Sequence, residues 1–161
     1  MDRKQEQMKL TEQELNAIEL LVDQFRQRLI ENHKDLINYA TAINSSEEKF
    51  KTYVKVIADY FCIEPEKITG KRSRLTEIKR ARHILWWLCR TGESNVKWSL
   101  SKIGQKTCLE RAFDHATVLH GVRTIGNDID YDPATKQDLK AIVECLGFRL
   151  VKNGANYKTV I

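Results

Sequence analysis

Glycine and proline are scarce in this chain, 7 and 2 among 161 residues, so apolar side chains recur at three- and four-residue spacing with few interruptions. That spacing lines one face of a helix, whereas a loop-rich β-fold needs frequent turn residues. The pattern predicts a mainly α fold, a helical bundle with a long N-terminal helix. Hydrophobic residues at 42% and charged residues at 30% suit a globular chain rather than a disordered one. No run of about 18 apolar residues occurs, which argues against a membrane partner. The charged start, Met1-Asp2-Arg3-Lys4-Gln5-Glu6, is unlike a signal peptide. Cys62, Cys89, Cys108 and Cys145 are widely spaced and form no C-x-x-C pair. They read as buried thiols in a reducing cytoplasm rather than as disulfides or metal ligands.

The first periodic stretch runs from 8 to 43 through Met8, Leu15, Ile18, Val22, Phe25, Leu29, Leu36, Tyr39 and Ile43, with Thr11 and Asn32 in two seam positions. It predicts an amphipathic helix with a break point available at Asn32-His33. Its heptad spacing permits a coiled-coil homodimer, with Asn32 setting register, and equally permits packing on its own domain. Ser45-Ser46-Glu47-Glu48 supplies a cap and first-turn acids for a helix over Phe50 to Phe61. Pro65 opens a short turn of helix and Gly70 ends it. A helix over Glu77 to Arg90 turns Ile78, Ala81, Ile84, Leu85, Leu88 and Cys89 inward, with Trp86 and Trp87 read as core residues in preference to base-stacking ones. Shorter helices follow from Ser99 to Lys106, from Asp114 to Ile125 with a stop at Gly126-Asn127, and from Pro133 to Leu146. The tail from Gly147 is extended or a short hairpin. Three segments result: an N-terminal extension over 1–44, a domain over 45–126, and a C-terminal helix and tail over 127–161.

Two of these helices, Ser99 to Lys106 and Asp114 to Ile125, form a helix-turn-helix candidate. In that architecture the second helix presents its first turn to base edges while the first steadies it on the backbone. Arg72, Arg74, Arg80, Arg82, Arg90, Lys97, Lys102 and Lys106 concentrate nearby, and Glu77 and Glu93 are the acids between Lys71 and Lys106. With a net charge of +5 and a pI near 9.0, such a concentration suits phosphate binding. A solvated basic surface is the rival account.

The stretch Asp114-His115-Ala116-Thr117-Val118-Leu119-His120-Gly121-Val122-Arg123 resembles the signature of the C-terminal DNA-binding domain of DnaA, the bacterial chromosomal replication initiator. Three further segments match in the family's order. They are Val56 to Phe61 (its first helix), Lys71-Arg72-Ser73-Arg74 (its basic loop) and Ser99-Leu100-Ser101-Lys102-Ile103-Gly104 (its S-L-P-E-I-G segment). The resemblance spans roughly residues 50 to 126. It implies sequence-specific binding of double-stranded DNA, in replication initiation or transcription regulation. His115, Ala116 and Thr117 would start the recognition helix in the major groove, with Asp114 capping it and reaching a base amino group. Arg74, with Arg72 beside it, would enter the adjacent minor groove. Arg82 and Arg90 match backbone-contacting positions, and Leu100 and Ser101 match residues whose amides touch phosphate. His120, beside Leu119, reads as a core histidine.

The sequence also departs from the family. Ala116 stands where threonine is usual, Phe113 where arginine is usual, and His83 where glutamine is common. The spacer from Gly104 to Asp114 is longer and lacks a glycine pair. No G-x-x-x-x-G-K-[ST] phosphate loop occurs in these residues, so no nucleotide is expected. The D-I-D-Y-D run over 128–132 lacks the glycine and distal glutamate of a calcium loop. With no nucleophile–base pair and no metal-ligand spacing, neither an enzyme nor a cofactor is expected. The reading is a cytoplasmic, nucleoid-associated DNA-binding protein. Its alternative is a protein–protein interaction module built on the N-terminal helix, with the DnaA-like part as scaffold.

Overall fold

Caps and apolar spacing account for most element boundaries in the computed structural model, which describes residues 12–33, 46–91, 98–154 and 156–160. These residues form α1 (Glu12–Asn32), α2 (Ser46–Phe61), α3 (Pro65–Ile68), α4 (Thr76–Thr91), α5 (Leu100–Thr107), α6 (His115–Tyr131), α7 (Pro133–Cys145), β1 (Arg149–Asn153) and β2 (Asn156–Val160). The fold is mainly α, as the periodicity predicts. Met8, Thr11, Leu36, Tyr39, Ile43, residues 92–97 and the Leu15 and Asn32 side chains lie outside the described residues.

Helix α4 is the axis of the bundle and packs against α2, α5 and α6. Its Ile84, Leu85 and Leu88 are fully buried with Ile57 of α2, Ile103 of α5, Ile129 of α6 and Ile142 of α7. Each such side chain contributes about 1.5–3 kcal/mol relative to exposure. Both Trp86 and Trp87 are buried, and the Trp86 indole N–H donates to Thr107 Oγ1 at 2.9 Å. Arg80 ties α4 to α7, donating to Thr135 Oγ1 at 3.0 Å and lying 2.8 Å from Asp138.

The N-terminal helix is divided in its allegiance. Leu29 and Ile30 pack against the core, and buried His33 locks the end of α1 to the body. Its Nδ1 faces the Leu29 carbonyl at 2.6 Å, and its Nε2 faces the Asp59 carboxylate of α2 at 2.8 Å. Ile18, Leu21, Val22 and Phe25 remain exposed.

Two sequence expectations fail along α6. Gly126-Asn127 does not stop the helix, which runs on to Tyr131 because Ile125 and Ile129 bury one turn apart on the same face. That packing outweighs the weak helix propensity of glycine, and the boundary drawn at 126/127 therefore falls inside an element. His120 is exposed rather than a core residue; it meets the His83 ring edge-on at 6.2 Å.

Asp132 then caps α7, accepting from the Ala134 and Thr135 amides at 3.1 Å each. Of the four cysteines, Cys89, Cys108 and Cys145 are buried, but Cys62 is exposed in a left-handed turn at the end of α2. The tail closes as an antiparallel hairpin pairing Arg149 with Val160 and Asn153 with Asn156. Gly154, at φ +62°, supplies the left-handed turn.

Candidate nucleic-acid interface

Helices α5 and α6 form the helix-turn-helix. Ser99 caps α5, its Oγ accepting from the Lys102 amide at 3.2 Å. The turn closes tightly because Gly104 has no side chain: a Cβ there would collide with the Phe113 carbonyl. Phe113 in turn donates its amide to the Gly104 carbonyl at 3.2 Å. Asp114 caps α6 with both oxygens, accepting from the Thr117 amide and the Thr117 hydroxyl at 2.8 Å each. These hydrogen bonds hold the Asp114 carboxyl below the usual carboxylate range, with the Arg72 charge a lesser cause. Because its hydroxyl proton goes to Asp114, Thr117 offers a ligand an oxygen lone pair and a methyl group. His115 and Ala116 are exposed beside it.

The basic loop over 71–74 sits against this helix start. Arg72 approaches Asp114 at 3.6 Å, and Lys71 pairs with Glu110 of the helix-turn-helix spacer at 3.0 Å. Arg74 is exposed and forms no ion pair among the described residues. Arg82 holds the loop in place from beneath. Its guanidinium donates to the carbonyls of Lys67, Ile68, Gly70 and Lys71 at 2.6–3.0 Å, and the residue is only 2% exposed.

This corrects the expectation that Arg82 contacts a phosphate, since its Nε and Nη2 donors are engaged inside the protein and the residue is almost fully buried. It also reduces the basic cluster. Arg80 is engaged by Asp138, and Lys106 pairs with Glu47 at 2.7 Å and lies over Trp98. Lys97 lies outside the described residues. Arg72, Arg74, Arg90 and Lys102 stay exposed. Arg90 is in the last turn of α4, about 20 Å along its axis from the loop, while Leu100 and Ser101 stand in the first turn of α5.

Phe113 is the residue that sequence reasoning missed. Its ring centroid lies 5.7 Å from the Arg72 guanidinium and 5.2 Å from that of Arg82. It therefore links the loop to the helix-turn-helix through cation–π contacts. Its apolar side chain next to the capping aspartate was the available signal.

A groove of about 510 Å³ lies between α4 and α6, lined by Arg72, Thr76, Lys79, His83 and His120 among others. His83 packs on Trp86, with ring centroids 5.5 Å apart. Burial first, then the charges of His120 and Lys79, push its pKa down to about 4. It is a neutral hydrogen-bonding group at neutral pH. Gly121 lets the two helices approach, because a Cβ there would lie 2.5 Å from the Trp86 ring.

Residues 51–125 match the family model described as the bacterial DnaA protein helix-turn-helix. This segment is a DnaA-type helix-turn-helix domain. The chain is 34% identical over 101 residues to the chromosomal replication initiator protein DnaA of Bacteroides fragilis (strain YCH46), an alignment covering 63% of this chain and 20% of that protein. It is 33% identical over 95 residues to the protein of the same name from Dechloromonas aromatica (strain RCB), covering 57% of this chain and 18% of that protein. The chain thus spans about a fifth of the length of these curated relatives. The DnaA-type domain takes in most of α2, α3 to α5 and most of α6, while α1, α7 and the hairpin lie outside the match. No helix among the described residues is long and apolar enough to cross a membrane.

Proposed function

We propose that this chain binds double-stranded DNA sequence-specifically through its DnaA-type domain, as a non-catalytic component of replication initiation or transcription regulation at the nucleoid. The observation that carries the reading is the juxtaposition of an exposed, Asp114-capped helix start with the basic loop at Arg72. His115, Ala116 and Thr117 read base edges in the major groove, and Arg72 and Arg74 enter the neighbouring minor groove. Arg90 and the Leu100 and Ser101 amides hold phosphates. Asp114 serves mainly as the cap, and His83 supplies an uncharged contact beside the groove. The reading needs neither nucleotide nor metal.

Selection of bound sites from random DNA, followed by mobility shifts at several salt concentrations, tests this. If roughly six phosphates are neutralised, affinity falls about 10³-fold or more between 50 and 200 mM salt. His115→Ala and Thr117→Ala each relax sequence preference by roughly 1–3 kcal/mol per lost base contact. Arg90→Ala weakens all sequences alike. Salt-insensitive binding, or identical behaviour of the three variants, overturns the assignment.

A second reading rests on α1. Its exposed stripe of Ile18, Leu21, Val22 and Phe25 supports an antiparallel or parallel homodimer, which would give the DNA-binding unit two-fold symmetry.

A further inference from the structure

The second half of α6 and the C-terminal hairpin enclose a cleft of about 830 Å³, at the far end of α6 from His115. The helix contributes Arg123, Asn127 and Tyr131, and the hairpin contributes Lys152, Asn153 and Asn156. Tyr131 is 87% exposed at the cleft, an unusual position for an aromatic ring with no packing duty. Neither Tyr131 nor Arg123 has a hydrogen bond or ion pair among the described residues. The hairpin wall is braced rather than loose. Asp130 accepts from Lys152 Nζ at 2.7 Å and from the Tyr157 hydroxyl at 3.1 Å. That bracing also neutralises the carboxylate that would otherwise repel an anion.

We propose that this cleft is a second nucleic-acid site, one that takes a single strand. The unpaired Arg123 suits a phosphate, the three asparagine amides suit base edges, and Tyr131 supplies a free face on which a base can stack. A duplex is too wide to enter a space bounded by the end of α4, the second half of α6 and the hairpin. An acidic peptide would use the cations but would leave the aromatic face and the amides without a purpose. The cleft shares no lining residue with the proposed duplex contacts, so the single strand and the duplex do not compete for the same residues.

Fluorescence anisotropy of the full chain with labelled oligothymidylate and oligouridylate tests the proposal. Tyr131→Ala weakens binding at least about fivefold, the loss of one stacked base, and Tyr131→Phe restores it. Arg123→Ala weakens it and lowers the slope of log affinity on log salt by about 0.7. His115→Ala leaves single-strand affinity unchanged, and Tyr131→Ala leaves duplex affinity unchanged, which verifies that the variant is folded. Retention of oligothymidylate by Tyr131→Ala at wild-type affinity, failure of the protein to retain either strand, or displacement by polyglutamate as effective as by oligothymidylate overturns the proposal.

Discussion

Arg82 and His83 are neighbours in sequence with opposite fates. The Arg82 fork satisfies four carbonyls at the end of α3 and the start of the basic loop. Arg82→Ala is therefore expected to destabilise the fold by about 3 kcal/mol or more in denaturant titrations. The same change should weaken binding to every DNA sequence by freeing the loop. Arg82→Lys should not rescue it, because an ammonium lacks the planar fork. A surface phosphate contact would instead leave stability unchanged.

His83 makes a pH prediction. Its pKa is near 4 in the folded chain against an ordinary value of 6.5, so the unfolded chain takes up a proton first as pH falls. Stability is therefore lost between about pH 6.5 and 4, with no further loss from this group below that range. Unfolding free energies should decline across that window, and His83→Gln, which cannot be charged, should flatten the decline. A slope unchanged by the substitution would place the effect elsewhere.

Among the elements, glycines separate close approach from mere helix weakness. Gly104 lies against the Phe113 backbone, so Gly104→Ala should cost about 1–3 kcal/mol by forcing the helix-turn-helix open. Gly126 lies in mid-α6, exposed, with its nearest potential neighbour 3.9 Å from a built Cβ. Gly126→Ala should raise stability by about 0.5–1 kcal/mol, and thermal unfolding of the two variants should shift in opposite directions. Sequence alone reads Gly126 as a helix stop and gives Gly104 no special duty inside its helix. Which of them is a contact depends on what packs opposite, and that is absent from local spacing. The Asp114 cap, the Ser99 cap and the Pro65 start were all legible, because a capping side chain bonds to amides two or three residues away.

For the whole molecule the open question is how α1 is used. Its C-terminal end is committed to the body through Leu29, Ile30 and His33, while the stripe ending at Phe25 is exposed. The heptad seam is thus shared between two surfaces rather than running on as one coiled coil. If a second copy covers the stripe, light scattering should give twice the monomer mass, and Val22→Glu with Phe25→Ser should return it to the monomer without loss of helix content. A wild-type monomer at micromolar concentration would remove the dimer.

The sequence by itself determined the helices apart from where α6 ends, the Ser99 and Asp114 caps, the hairpin as one of two options, and the ordered segments that mark a DnaA-type domain. These depend on residues near one another along the chain. Tertiary structure decided which basic residues remain available. Arg82 turns inward, Arg80 and Lys106 are drawn to carboxylates on other helices, and Phe113 meets two guanidiniums. Charge counted along a sequence is blind to partners that only folding brings within a few ångströms, and those partners decide whether a cation faces a ligand or the protein itself.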